Sequence, residues 1–140
     1  MKVSNDFKMV IVLDDDLSLG LKTNTAAVLS LTLGSKVEGL IGHDLHDKAG
    51  NKHTSLTRIP VPILRCSPEQ LKQTYDQAYE LDGELLLVDI TDAAQTTTNY
   101  QDYQQKLELT EPKDLKLLGI ALAGSKSLVN KLTGNMGLVR

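Results

Sequence analysis

Three times along this chain a short apolar run of strand type stands against a segment of helical pattern, and that alternation restricts the fold more than any other feature. Phe7 to Leu13 is rich in valine and isoleucine, as a strand buried on both faces is. Glu84 to Ile90 and Lys116 to Ala123 read the same way. Leu21 to Leu33 is apolar on nearly every face, which predicts a mostly buried helix ended by Gly34. Ser67-Pro68-Glu69-Gln70 is a helix start: serine can cap, proline suits the first turn, and Gln70 is placed to reach back. Leu71, Tyr75, Ala78 and Tyr79 follow at helical spacing. Tyr100, Tyr103 and Leu107 share one helix face before Pro112, and Ser125 opens a last helix with Leu128, Val129 and Leu132 inward and Gly134 at its close. Strands alternating with helices predict a three-layer α/β/α fold with a mainly parallel sheet. A length of 140 residues fits one domain over 1–140 and is too short for two.

The segment from Glu38 to Arg58 is polar. Within it "HDKAGNKH" reads as a turn between short strands, Gly50 supplying the positive φ. In "RIPVPILRC" two prolines prevent full pairing, so this is an edge strand or a lead-in to one. All three histidines, His43, His46 and His53, lie near Asp44 and Asp47. Two histidines three apart with carboxylates could hold zinc, but the alternation suits a hairpin with exposed polar faces, and neither a metal nor a cofactor is expected. Cys66 is the only cysteine, so no intrachain disulfide forms; it reads as a small apolar strand residue. The N-terminal apolar run is too short for a signal peptide and meets acid directly, and no stretch is long enough to cross a bilayer. The expected location is the cytoplasm.

Why the first strand breaks into three consecutive aspartates is the functional question. In open α/β sheets, sites gather where strands end and helices begin. Three such junctions stand out: "DDDLSLGLK", "DITDAAQTTTN" and "AGSKS". On parallel strands they converge, and Asp14, Asp15 or Asp16 then faces Asp89, Asp92, Thr96, Lys22 and Asn24. Carboxylate, lysine, hydroxyl and amide together suit the activation of water on an ester. The same polar residues also serve as helix caps and loop solvation. "GIALAGSKS" departs from a phosphate loop, because its lysine falls one place late and its middle is a strand; Ser125 as a helix cap explains it. A net charge of -3 supplies no global basic field for nucleic acid, and Lys113, Lys116, Lys126, Lys131 and Arg140 read as a solvated scatter.

"KMVIVLDDDLSLGLKTNTAA" is similar to the opening of type 2 peptidyl-tRNA hydrolases: a lysine-led strand, Asp-Leu, a glycine, lysines and an Ala-Ala helix. "TDAAQT", Thr91 to Thr96, resembles that family's Asp-Ala-Gly-x-Thr segment, and "LVNKLTGNMGLVR" its last helix and final leucine strand. More closely, "DLSLGLKTNTAAVLSLTLG", "IPVPIL" and "KLTGNMGLVR" resemble a bacterial domain-of-unknown-function family sharing that fold. The resemblance implies a four-stranded mixed sheet between helices. It also matches the family's acidic and hydroxyl positions to Asp92 and Thr96; with Lys22 these are the candidate catalytic residues, and Asp16, Asn24 and Asn130 are the candidate binding set. The chain departs from the hydrolases in its lysine: counted without a gap, their position is Thr23, and Lys22 comes one residue early. One helical step turns a side chain by about 100°. The expectation is therefore a ligand- or partner-binding module with altered or lost catalysis, the alternative being an esterase acting on peptidyl-tRNA or a related acyl ester. A second copy of the chain is the expected partner; tRNA is not favoured by the charge.

Overall fold

A computed structural model describes residues 1–140. In chain order the elements are β1 (Phe7–Asp14), α1 (Leu19–Lys36), a hairpin of β2 (Leu45–His46) and β3 (Lys52–His53), β4 (Ile63–Cys66), α2 (Pro68–Tyr79), β5 (Leu86–Thr91), a 3-10 turn (Asp92–Thr96), α3 (Tyr100–Leu109), β6 (Leu117–Ser125), α4 (Lys126–Thr133) and β7 (Gly137–Leu138). The α/β class and the alternation read from sequence hold. One mixed sheet in the order β5-β6-β1-β4-β7 has helices on both faces.

The centre of the sheet is β1, and its two faces explain its composition. Met9, Ile11 and Leu13 pack beneath Leu29 and Leu33 of α1. Val10 and Val12 pack on the other side against Leu71 of α2 and Val129 of α4. A strand buried on both faces cannot alternate polar and apolar, hence the unbroken run. Serine caps start three of the helices: Ser18 accepts from the Leu21 amide, Ser67 from Gln70, and Ser125 from Leu128.

The sheet departs from expectation in size and direction. It has five strands rather than four, because the two-residue β7 pairs with β4 and covers what would have been an edge. Of its four pairings only β1–β4 is parallel, so the sheet is mixed but not mainly parallel. The reason lies in α3, which buries no residue and makes its main contacts with the 3-10 turn. It does not carry the chain back across the sheet, so β6 starts at the rim where β5 ended and runs antiparallel between β5 and β1.

Two helix expectations also change. Gly34 does not end α1; the helix runs on to Lys36 and caps at Val37. Nor is α1 mostly buried: Thr25, Ala26, Leu29 and Leu33 face the sheet, while Leu19, Val28 and Leu31 are exposed. In the hairpin Gly50 takes the expected positive φ of 85°.

Candidate functional site

The antiparallel β6 decides which junctions meet. The carboxyl ends of β1, β4 and β5 share one rim with the start of β6, whereas "AGSKS" ends β6 opposite Phe7 at the far rim. Two of the three expected junctions therefore converge and the third does not. Its place is taken by the residue before β6, Lys116.

At this rim the three aspartates part company. Asp14 continues the inward alternation of Val10 and Val12 and is fully buried. Its Oδ1 accepts the Asp16 amide at 2.8 Å. Its Oδ2 has no hydrogen-bond partner and faces the Lys116 ammonium at 3.9 Å. Asp15 is held by two cations: Lys22 donates to one oxygen at 3.1 Å and Arg65 to the other at 3.2 Å. The hydrogen bond from Lys22 foremost keeps the Asp15 carboxyl below the ordinary range; desolvation is the next largest influence and opposes it, and Arg65 adds to the lowering. Arg65 is itself aimed by the Leu138 carbonyl of β7, 3.1 Å from its Nε. Asp16 is exposed and offers only its amide to the cluster. Burial, with the charges of Asp14 and Asp15 added, pushes the Cys66 thiol up to about 11.

The residues expected to react are otherwise engaged. Lys22 turns toward Asp15 and β4, whereas Asp92 follows β5. With β6 between β5 and β1, that is about two strand spacings, or about 10 Å, across the sheet. Asp92 accepts the Lys116 amide at 3.1 Å while its own amide donates to the Lys116 carbonyl at 2.9 Å, a double clasp that starts β6. Thr96 donates to the Ala93 carbonyl and accepts from Lys106 of α3. Asn24 is exposed on α1. Asn130 lies on α4, on the other face of the sheet, where it accepts from Lys8 and borders an amide-lined groove of about 420 Å³ with Gln70, Gln77 and Asn135. Lys22, Asp92 and Thr96 line none of the main cavities, and neither do Asp14 and Lys116. The histidine segment brings no three ligating groups together; His53 pairs with Asp47 at 3.0 Å.

Sequence reasoning missed Asp14 as the buried member of the triplet, and with β1 buried on both faces strand parity does not single it out. It also missed Thr91, whose hydroxyl is buried without a partner where β5 shifts register against β6. Thr91 borders a small cavity of about 70 Å³ with Asp89, Tyr75 and Leu117. Lys116 carried no local signal, because its place depends on the direction of β6.

Fold and rim together define a small α/β domain with a charge-matched cluster at the strand ends of a mixed sheet. The chain belongs to the family described as "Protein of unknown function (DUF2000)", whose model matches residues 7–140. Among solved structures it is similar to a protein of unknown function from Agrobacterium tumefaciens strain C58. Identity is 24% and the TM-score 0.87, over 98% of this chain and 100% of that one, a likeness of fold. No curated protein matches. No helix is long and apolar enough to cross a membrane.

Proposed function

We propose that this protein is a binding module on a peptidyl-tRNA-hydrolase-like frame, with hydrolysis altered or lost, and that its ligand engages the rim at Asp14 and Lys116. One observation carries the reading: the lysine and acid that hydrolysis would use are tied to other groups, while a fully buried carboxylate keeps an oxygen free of hydrogen bonds. An orphaned buried acceptor costs about 1–3 kcal/mol, a cost that a ligand donating an N–H or O–H would offset once the rim parts over Asp14, which has no exposed surface in the free chain. Lys116 is half exposed beside it and can hold an adjacent acceptor atom of the same ligand. The frame is supported by three segments resembling the hydrolases in order and by a mixed sheet with helices on both faces. The partner we favour is a second copy rather than tRNA, in keeping with the net charge of -3.

The esterase reading keeps one point in its favour, that Asp92 and Asp14 reach the same rim through Lys116. A turnover assay on peptidyl-tRNA, run beside an active type 2 hydrolase and the Asp92→Ala variant, separates the two. We expect no turnover and no tRNA binding by the intact chain. Turnover that Asp92→Ala abolishes would overturn the module in favour of the esterase.

A further inference from the structure

Helix α1 presents to solvent a face that ordinary surface helices do not have. Every fully exposed residue from Leu19 to Ser35 is uncharged. The only ionised groups of the helix are Lys22, which turns back to Asp15, and Lys36 in the last turn. The uncharged arc covers about 200° of the helix circumference, where a solvated helix would also carry charged residues; its polar members are the neutral Thr23, Asn24, Ser30 and Ser35. At its centre Gly20, Ala27 and Gly34 recur every seven residues and leave room for close approach. Leu31, 76% exposed, and Val28 flank that line.

A second observation adjoins the first. The arm from Gly42 to Leu56, which carries the β2–β3 hairpin, buries none of its residues, although Leu45 is 61% and Leu56 80% exposed. A lone two-stranded hairpin is marginal in water. The base of the arm meets α1 in an apolar groove of about 260 Å³, lined by Ser30, Gly34, Ile41 and Leu56. The uncharged face of α1 therefore continues onto Ile41 and Leu56 at the base of the arm, while Asp44, Asp47, Lys48 and Lys52 lie farther out along it.

We propose that the outward face of α1, together with Ile41 and Leu56 beside it, is where a second copy of this chain docks, helix against helix about a two-fold axis. The proposal rests on the self-association named above and assigns it a surface. Charge selects the occupant. At a two-fold axis each residue meets the same patch of its partner, so a charge near the axis would oppose its own copy. A face without charge satisfies that condition, whereas a different protein would be steered by complementary charge. A two-fold near the middle of the helix, at Ala27 and Val28, sets Leu31 of each copy against the Asn24 region of the other. Area supports the inclusion of the arm. Eighteen residues make a helix about 27 Å long and about 10 Å wide, a footprint well short of the ~800 Å² per partner of a standard interface. Ile41, Leu56 and the exposed arm beside them add to that footprint.

Sedimentation of the full chain between about 10 and 100 μM, a range that captures micromolar pairing, tests the proposal. The wild type is expected to be a dimer. Ala27→Glu and Leu31→Glu, both at exposed positions, are expected to be folded monomers, their pairing weakened at least about a hundredfold. Leu109→Glu, equally exposed on α3, is expected to stay dimeric. Ala27→Cys supplies a readout that does not depend on tolerance of glutamate: under mild oxidation it should link two copies, while Leu109→Cys should not and the buried Cys66 stays silent. A monomeric wild type would overturn both the surface and self-association itself. A dimer that survives both glutamates, is broken by Leu109→Glu, or fails to cross-link through Ala27→Cys would overturn the surface alone.

Discussion

Asp14, Asp15 and Asp16 are one residue type three times over, and their environments give them three tasks: a buried acceptor, an ion-pair hub and a solvated turn. That division makes Asp14 testable apart from its neighbours. Asp14→Asn keeps an oxygen for the Asp16 amide and removes a buried charge, so we expect an unchanged or raised thermal midpoint together with loss of ligand binding. Asp14→Ala removes the acceptor as well and should cost about 1–3 kcal/mol, measured by denaturant unfolding. A clear loss of stability in Asp14→Asn would mark the carboxylate as structural. Asp15 predicts a pH dependence of definite sign. Its carboxyl is depressed in the folded chain by Lys22 and Arg65, so its contribution is complete above the unfolded pKa and disappears as pH falls below about 4. The gap in thermal midpoint between wild type and Asp15→Asn should therefore be constant from neutral pH to about 5 and close in stronger acid; a gap that widens in acid would contradict the pairing. At this scale the sequence singled out the triplet as unusual. Neither which aspartate is buried, on a strand covered on both faces, nor the commitment of Lys22 to Asp15 was legible in it.

Among the elements, β6 shows most plainly how packing overrides a local pattern. Its apolar run identifies it as a strand, but nothing within the run states its direction. That is decided by α3, which remains at the rim and leaves β6 to run back between β5 and β1. The close fit depends on Gly119, where a Cβ would stand 2.9 Å from the Val12 carbonyl oxygen and from the side chains of Leu13 and Thr25. Backbone cannot yield as a flexible side-chain end can, so Gly119→Ala should destabilise by about 1–3 kcal/mol with no change in composition elsewhere. Gly34→Ala, with nothing of its own chain within 4 Å of the added methyl, is the matched control and, at concentrations where the chain is monomeric, should be neutral or stabilising by about 1 kcal/mol. The reading of Gly34 as a helix stop failed for a related reason. Glycine is not in itself a stop: α1 runs through Gly34 and closes on the extended Val37, whose amide donates to the Leu33 carbonyl.

For the whole molecule the buried thiol offers a measure of cooperative opening. Cys66 lies in the core shared by β1, α2 and α4, and its pKa of about 11 leaves almost no thiolate at neutral pH. Alkylation at pH 8 should be at least about a hundredfold slower in the native protein than in denaturant, and Asp14→Asn should speed it only modestly, because burial is the larger cause. Rapid native alkylation would show that the α2 face opens without global unfolding. The sequence by itself determined the α/β class, the burial of β1 and β6 on both faces, the caps at Ser67 and Ser125 and the hairpin glycine, because each follows from side-chain period and local backbone chemistry; β5, read the same way, is a half-buried edge strand. Only the tertiary structure decided strand direction, the fifth strand, the partner of Lys22 and the meeting of Asp14 with Lys116. Those depend on which distant segments lie side by side, and hydrophobic burial, which drives the collapse, is indifferent to direction and leaves that choice to the connections.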